Sequence, residues 1–212
     1  MVVAGGSGRR FGGLKQFATV GDRPLVSWSI AAARSISEGV VVVVPAQAHH
    51  AAAEWADALV GADAVVAGGA TRAGSVRAGL AAVPDEAGVV VVHDGARPLA
   101  TPDLFRTVLD ALEDADGAVP VVPVADTLRR QDGAALADAV DRTGLVAVQT
   151  PQGFRAGILR RAHAGDPEAT DDAALVERVG GSVVVVPGEP TNLKVTGPDD
   201  LAIVTALLAV VR

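Results

Sequence analysis

Short, wholly apolar runs of valine recur along the chain, and longer segments of mixed polar and apolar residues separate them. The clearest runs cover residues 40–44, 89–92 and 183–186. A run without polar alternation is typical of a strand that is buried on both faces of a sheet. The pattern therefore predicts a sheet of mostly parallel strands in the interior of the protein.

The segments between these runs predict helices, because they are rich in alanine or begin with helix-starting residues such as proline or Thr-Pro-Asp. The predicted helices cover residues 24–36, 46–60, 74–83, 101–116, 155–164, 172–179 and 198–211. Alternation of strands and helices defines an α/β fold. In such folds, right-handed crossovers bring the ligand site to the carboxyl ends of the strands. We expect the apolar surface of the last helix to pack on the sheet.

Residues 124–150 break this alternation. Asp132 and Gly133 form a turn signal between two stretches of alternating residues, which indicates a β-hairpin. A hairpin that projects from the core needs a partner to bury it. We therefore predict a β-arm that exchanges with the arm of a second copy in a homodimer. Thr127 and Arg142 are polar groups of this arm that could reach the neighbouring active site.

Composition excludes several classes of function. The chain shows neither a linker nor an internal repeat, so we expect residues 1–212 to form one domain. A net charge of −7 argues against a nucleic-acid-binding surface and leaves small anions as the expected ligands of any basic site. The absence of cysteine rules out disulfides and thiol catalysis. No secretory leader and no apolar run of membrane-spanning length is present, so we expect a cytoplasmic protein without membrane contacts.

The most distinctive stretch of the chain lies in its first fifteen residues. Two valines lead into a loop with five glycines, and the cations Arg9, Arg10 and Lys15 are interleaved with them. Glycines let backbone N–H groups approach an anion, and cations supply the charge that a di- or triphosphate needs. The glycine spacing departs from both the dinucleotide fingerprint and the P-loop. The stretch therefore predicts a phosphate cradle of another type, with a flexible terminus as the simpler alternative.

Lysine is rare in this chain. Of 18 cationic residues, only Lys15 and Lys194 are lysines. Lysine offers a compact, mobile point charge, whereas arginine is a planar fork. We expect a chain that otherwise uses arginine to keep lysine where a point charge is required, so both lysines are candidate site residues.

A second candidate site follows the strand predicted at residues 89–92, where the chain reads His-Asp-Gly-Ala-Arg-Pro. Asp94 could hold a Mg²⁺ ion that bridges phosphates, and the Arg97 guanidinium could bind a second phosphate. The alternative is structural, with Asp94 capping the turn and pairing with Arg97. Upstream, the small residues of segment 68–76 would admit a flat base whose edge Ser75 binds, although an ordinary glycine-rich loop and helix cap would look the same. The histidines show no metal-ligand spacing.

These stretches, in their order along nearly the whole chain, resemble the 2-C-methyl-D-erythritol 4-phosphate cytidylyltransferases of the non-mevalonate isoprenoid pathway. The motifs that carry the resemblance are A-G-G-S-G-R-R-F-G with L-K-Q, R-A-G-S-V, H-D-G-A-R-P, D-T, V-D-R-T-G-L, Q-T-P-Q, T-D-D-A and N-L-K-V-T. The resemblance implies a Rossmann-like α/β fold of the nucleotide-diphospho-sugar transferase type, dimeric through the β-arm. Only Met1 to Val3 precede the glycine loop, so we expect a short first strand. Leu14 stands where the family usually has proline.

The resemblance also assigns a role to each motif. Arg10, Lys15 and Lys194 would be the catalytic cations. Ala4, Gly5, Gly6, Ser7, Gly8, Gly69, Ala70 and Ser75 would bind the nucleotide. Asp94, Arg97, Thr127, Arg142, Thr150 and Thr170 would bind the second substrate, with Thr127 and Arg142 supplied by the partner subunit and Asp94 also orienting Mg²⁺ or another divalent cation. Thr170 and Asp171 are in addition expected to cap the helix that begins at Asp172.

The implied reaction transfers a cytidylyl group from CTP to 2-C-methyl-D-erythritol 4-phosphate and releases pyrophosphate. The attacking phosphate is already an anion, so the enzyme needs neither a covalent nucleophile nor a strong base. Its work is to position two polyanions and to neutralise their charge. Two alternatives stay open: a cytidylyltransferase for another polyol phosphate, such as ribitol 5-phosphate, and a non-catalytic nucleotide-binding dimer. The glycine spacing disfavours a dehydrogenase.

Overall fold

The computed structural model describes every residue except Ser7, Arg9, Arg10 and Arg212, and it describes Val211 by its backbone only. The strands are β1 (Val2–Val3), β2 (Thr19–Val20), β3 (Arg23–Pro24), β4 (Val41–Val44), β5 (Ala64–Ala67), β6 (Val89–Asp94), β7 (Gly117–Pro123), β8 (Leu128–Asp132), β9 (Ala135–Val140), β10 (Val146–Val148), β11 (Gln152–Arg155) and β12 (Val183–Pro187). The helices are α1 (Leu25–Arg34), α2 (Ala46–His50), α3 (Arg72–Leu80), α4 (Pro102–Asp110), α5 (Ala156–Ala162), α6 (Asp172–Arg178) and α7 (Pro198–Val211).

One large mixed sheet organises the described residues. Its strand order is β10-β7-β11-β6-β1-β4-β5, and β12 pairs with β7. Strand β1 runs parallel to both β4 and β6, and β5 runs parallel to β4. Strand β11 is antiparallel to both β6 and β7, and β12 is parallel to β7. This arrangement confirms the predicted α/β class, and the expected short first strand lies at the centre of the parallel part.

The prediction of burial on both faces is wrong for the valine run of β12, where Val184 and Val185 are 40% and 66% exposed on a strand that pairs with β7 at the edge of the sheet. The valine run of β4 is buried on both faces, because both faces of the sheet are covered there. Val42 and Val44 of β4 pack into one cluster with Ile30 of α1 and Phe105 of α4. Val43 faces the other side, where it joins a cluster with residues of α3, α5 and α6. A strand between two apolar layers has no solvent-facing position, which is why its sequence shows no polar alternation.

The helix predicted over residues 46–60 is not continuous. Helix α2 ends at His50, and a 3-10 helix follows over Ala52–Leu59. Tertiary contacts hold this second part, because Trp55 stacks on Phe17 with ring centroids 4.1 Å apart and Ser27 donates to the carbonyl of Ala58 at 2.9 Å. These contacts override the helix propensity of an alanine-rich segment.

Helix α7 has the predicted bounds but not the predicted packing. Val204 and Leu208 join a cluster with Val20 of β2 and Leu25 of α1. The helix therefore covers the small β2–β3 hairpin rather than the large sheet. No helix among the described residues is long and apolar enough to cross a membrane.

The predicted arm is present as a separate two-stranded sheet. Strands β8 and β9 pair antiparallel, from Leu128 opposite Val140 to Asp132 opposite Ala135, and Gly133 turns with a positive φ of 57°. The chain enters the arm from β7 and returns through β10, which pairs back onto β7. Nearly all arm side chains are exposed, including Leu136 at 73%. The hairpin thus projects from the body of the protein, as the turn signal predicted.

Candidate active site

The carboxyl ends of the central parallel strands place two glycine loops against the start of α3. A Cβ atom built on Gly5 would lie 2.8 Å from Ser75 Oγ, and one on Gly68 would lie equally close to the same atom. A Cβ on Gly69 would lie 2.8 Å from the backbone of Gly74. Only glycine permits these approaches. Gly5, Gly69 and Ser75, predicted from distant stretches of sequence to bind the nucleotide, therefore meet at one place.

Neighbouring residues complete this edge. The amide of Ala4 donates to the carbonyl of Val43 at 2.7 Å, so it continues the path of β1 beside β4. A Cβ built on Gly95 would lie 3.0 Å from the Ala4 side chain, which places the end of β6 directly beside the loop. Ala70 is exposed in the loop before α3.

The glycine loop folds tightly on itself where it is described. Gly8 has a φ of +65°, and any side chain there would collide with the carbonyl of Gly13. The Gly8 carbonyl accepts hydrogen bonds from Phe11 and Gly12, both at 2.9 Å. The carbonyl of Gly6 faces Gln16 Nε2 at 3.4 Å. The predicted nucleotide ligand Ser7 and the predicted catalytic residue Arg10 lie outside the described residues.

The two lysines of the chain converge on one short segment. Lys194 Nζ contacts Asp94 Oδ2 at 2.5 Å, and Lys15 Nζ donates to the carbonyl of Val195, also at 2.5 Å. Val195 is held in turn by its amide, which donates to the carbonyl of Ala96 at 2.8 Å. Residues separated by 179 positions in sequence thus bring two point charges to the end of β6.

Asp94 is the carboxylate at the centre of this edge. Lys194 contacts one of its oxygens, and Arg72 Nε lies 3.7 Å from the other. Burial by itself would raise the pKa of Asp94, but the positive charges of Lys194 and Arg72 outweigh this effect and hold the pKa below its usual value. Asp94 is therefore an ionised carboxylate held between two cations.

Thr150 and His93 fix the backbone at Asp94. The Thr150 hydroxyl accepts the Asp94 N–H at 2.9 Å and lies 3.1 Å from His93 Nδ1, while His93 Nε2 lies 3.2 Å from the carbonyl of Arg97. Burial lowers the pKa of His93 to about 4, so the imidazole is neutral at pH 7. A carbonyl can only accept, so Nε2 carries the ring proton and Nδ1 accepts from Thr150. The hydroxyl proton of Thr150 is therefore already committed within the protein.

Arg97 binds backbone in this structure. Its guanidinium donates to the carbonyl of Asn192 at 2.6 Å and to that of Val148 at 3.4 Å. Its buried Nε has no partner among the described residues. Burial lowers the pKa of Arg97, although the nearby Asp94 charge acts in the opposite direction. Arg97 thus connects the segment that carries Lys194 to the end of β6. It also places a positive charge near Asp94.

The other predicted substrate ligands are either exposed or bound within their own segment. Thr170 is exposed just before α6, and Asp171 caps that helix by accepting the Ala174 N–H at 2.9 Å. On the arm, Thr127 is exposed, and Arg142 donates to the carbonyls of residues 124–126 at the base of the arm. The contacts of Arg142 therefore stay within its own arm.

Two functional candidates were missed by sequence reasoning. Arg72 contacts Asp94, and it also donates to Asp172 at 2.8 Å. Asp172 is predicted from the sequence to begin a helix, but it is also buried and contacts His163 at 2.9 Å. Arg72 is the first residue of the R-A-G-S-V motif, so the motif could have identified it as a candidate site residue. Nothing in the local sequence of Asp172 or His163 indicated their pairing.

Few side chains of the site could coordinate a divalent cation. No group of three or more histidine, aspartate or glutamate side chains that could hold a metal occurs among the described residues. Asp94 supplies a single carboxylate at the strand ends, and cations surround it. A metal here would need most of its oxygen ligands from a bound substrate and from water.

Comparison with known proteins agrees with this geometry. The sequence pattern of 2-C-methyl-D-erythritol 4-phosphate cytidylyltransferase matches residues 1–210. Proteins of that name from Rubrobacter xylanophilus and Deinococcus radiodurans are 42% and 45% identical, with 99% and 98% of this chain and 94% and 88% of theirs covered. The crystal structure of the one from Thermus thermophilus superimposes with a TM-score of 0.85 at 38% identity, covering 98% of this chain and 97% of the other. The chain belongs to the 2-C-methyl-D-erythritol 4-phosphate cytidylyltransferase family.

Proposed function

We propose that this chain transfers the cytidylyl group of CTP to 2-C-methyl-D-erythritol 4-phosphate and releases pyrophosphate. The observation that carries the proposal is the meeting of Lys15, Lys194 and Asp94 beside the glycine loops at the carboxyl ends of the strands. That edge is where an α/β sheet binds its ligands. Family membership supports the same reaction.

The chemistry follows from the charges of the two substrates. A phosphate oxygen of the acceptor attacks the α-phosphorus of CTP, a new P–O bond forms, and the bond to the β-phosphate breaks as pyrophosphate leaves. Both substrates are polyanions, so their approach needs positive charge and fixed positions. Lys15 and Arg10 would stabilise charge at the α-phosphate, and Lys194 would hold the acceptor phosphate. In the structure Lys194 rests on Asp94, and an incoming phosphate would take over this contact.

The nucleotide and acceptor would occupy neighbouring parts of the site. Gly5, Gly69 and Ser75, which meet in the structure, would frame the cytosine together with Ala4 and Ala70. The remaining glycine-loop positions, Gly6, Ser7 and Gly8, would cradle the phosphates. Asp94, Arg97, Thr150 and Thr170 would line the acceptor side. Because the Thr150 hydroxyl donates its proton to His93, it could only accept a hydrogen bond from the acceptor substrate.

A divalent cation such as Mg²⁺ fits this proposal as a companion of the nucleotide. Asp94 is the residue that would hold it, and the substrate phosphates would supply further oxygen ligands. When bound, the ion would neutralise charge on the phosphates. We expect little metal binding by the protein alone, because Lys194 and Arg72 already balance the charge of Asp94.

We further propose a homodimer in which each arm completes the partner's site with Thr127 and Arg142. An isolated two-stranded hairpin is only marginally stable in water. The arm forms its own two-stranded sheet with mostly exposed side chains, so a partner surface would stabilise it. The cytoplasmic location stays a prediction.

The test is a comparison of acceptors with purified protein, CTP and Mg²⁺. We expect pyrophosphate release with 2-C-methyl-D-erythritol 4-phosphate and none without an acceptor. Release with ribitol 5-phosphate instead would reassign the enzyme to another polyol phosphate. No release with either acceptor, while CTP still binds, would support a non-catalytic nucleotide-binding dimer. Lys194→Ala, tested in parallel, should lose activity if the release comes from this site.

A further inference from the structure

A row of paired polar side chains runs from Asp94 into the interior of the protein. Arg72 Nε lies 3.7 Å from Asp94 Oδ1, and the same guanidinium donates through Nη1 to Asp172 Oδ2 at 2.8 Å. The second oxygen of Asp172 contacts His163 Nε2 at 2.9 Å. These residues come from the end of β6, from α3, from α6 and from the end of α5. This row of side chains therefore connects the Asp94 carboxylate to three helices.

The inner end of this row is buried, and its carboxylate is paired on both oxygens. The side chains of Asp172 and His163 are 1% and 2% exposed, and each oxygen of Asp172 has its own partner. A buried carboxylate without such partners would be very costly, so Asp172 must remain paired. Asp171, the preceding residue, caps α6. Asp172 is thus not needed for the cap, and its burial serves the pairing with Arg72 and His163.

Arg72 connects this buried pair to Asp94. Its charge is strongly favoured, because the two carboxylates outweigh the desolvation that would lower its pKa, and the pKa is raised. A planar guanidinium can serve two carboxylates at once with different nitrogens, which an ammonium group cannot do in a fixed geometry. Arg72 is the first residue of α3, directly after the loop with Gly69, so it also joins Asp94 to the nucleotide side.

The other partner of Asp94 has a different character. Lys194 is 42% exposed, whereas Arg72 is 25% exposed and held from behind. If Lys194 moves to an incoming phosphate, as proposed above, Arg72 is the one remaining side chain among the described residues that pairs with the Asp94 carboxylate. The two cations thus have different roles. Lys194 would move between the Asp94 carboxylate and the substrate, whereas Arg72 would remain paired with Asp94.

We propose that Arg72 and Asp172 are positioning residues, which hold Asp94 in its working orientation while Lys194 engages substrate. This inference rests on the proposed role of Asp94 in the transfer reaction. Outer partners of this kind orient a ligand without touching the substrate. The effect of disturbing them should therefore appear mainly in kcat, since a misplaced Asp94 affects the reacting centre more than the binding of CTP.

The test uses Arg72→Lys, Asp172→Asn and their double variant in the full-length protein. Arg72→Lys keeps the charge but has a single nitrogen in place of the two that Arg72 directs at Asp94 and Asp172, and Asp172→Asn keeps the shape but removes the charge. Each should lower kcat roughly 10- to 100-fold, the range seen for outer-sphere partners, with the KM for CTP within about threefold. The double variant should be no worse than the poorer single variant, because the two residues act through one contact.

Two controls make the result decisive. Arg34→Lys is the same substitution at an exposed ion pair with Asp63 and should leave kcat unchanged. Asp94→Asn tests the premise: if it keeps full activity, the role of Asp94 is wrong. If Asp94→Asn is inactive but the single variants keep parental kcat, or their losses multiply in the double variant, the positioning role is wrong. Should Asp172→Asn fail to fold, an unchanged kcat in Arg72→Lys overturns the inference by itself.

Discussion

At the scale of single residues, the hydrogen bonds of Thr150 allow a structural role to be distinguished from a substrate-binding role. Its hydroxyl accepts from the Asp94 amide and donates to the neutral His93. We expect Thr150→Val to lower both kcat/KM and stability, the latter by about 1–3 kcal/mol, because it leaves buried polar atoms unpaired. Thr150→Ser should retain most of both. Denaturant unfolding and steady-state kinetics check this; a valine variant with parental stability and lost activity would indicate a substrate contact alone.

At the scale of elements, the start of α7 depends on one carboxylate. Asp200 Oδ2 accepts from the amides of Thr196 and Gly197 and from the Thr196 hydroxyl. Hydrogen bonds from Gly197 and Thr196 lower the pKa of Asp200 below its value of 3.8 in an unfolded chain. A lowered pKa stabilises the fold above the unfolded value, and this stabilisation is lost as pH falls through the folded value. Asp200 should therefore matter at neutral pH and not in acid.

The corresponding variant is Asp200→Asn. It keeps an acceptor oxygen but loses the negative charge near the helix N-terminus, so we expect it to be less stable than the parent by about 0.3–1 kcal/mol at pH 7, and the difference should shrink as pH falls below 4. Urea unfolding at several pH values measures this. A difference that is constant across the pH range would show that the charge of Asp200 plays no part.

At the scale of the whole molecule, the proposed homodimer depends on the arm. Leu136 is 73% exposed on the arm, and Val60 is 72% exposed elsewhere, so the two positions form a matched pair. We expect Leu136→Asp to weaken the dimer and to lower activity with it, because Thr127 and Arg142 would no longer reach the partner. Val60→Asp should change neither. Sedimentation equilibrium and activity over a range of protein concentrations test this, and a monomeric variant with full activity would contradict the exchange of arms.

Several features were determined by the sequence itself, because each depends on local pattern. Uninterrupted valine runs favour strands, so the runs at residues 40–44 and 183–186 could be assigned to strands, although β4 is covered on both faces whereas β12 is partly exposed. The Asp-Gly signal required a turn at Gly133, and the ordered motifs identified the family. The glycines and lysines of the site were found in the same way, since their chemistry can be read at each position separately.

Other features were decided only by tertiary structure. The end of α2 at His50 depends on Trp55 stacking on Phe17, and the packing of α7 depends on where β2 lies. The pairing of Asp172 with Arg72 joins positions 100 residues apart. The sequence around Asp172 or Arg72 does not indicate this pairing, because α3 and α6 must pack together before the two charges can meet. Local pattern thus indicated which residues are candidates for the site, while long-range packing decided which of these residues meet in the folded chain.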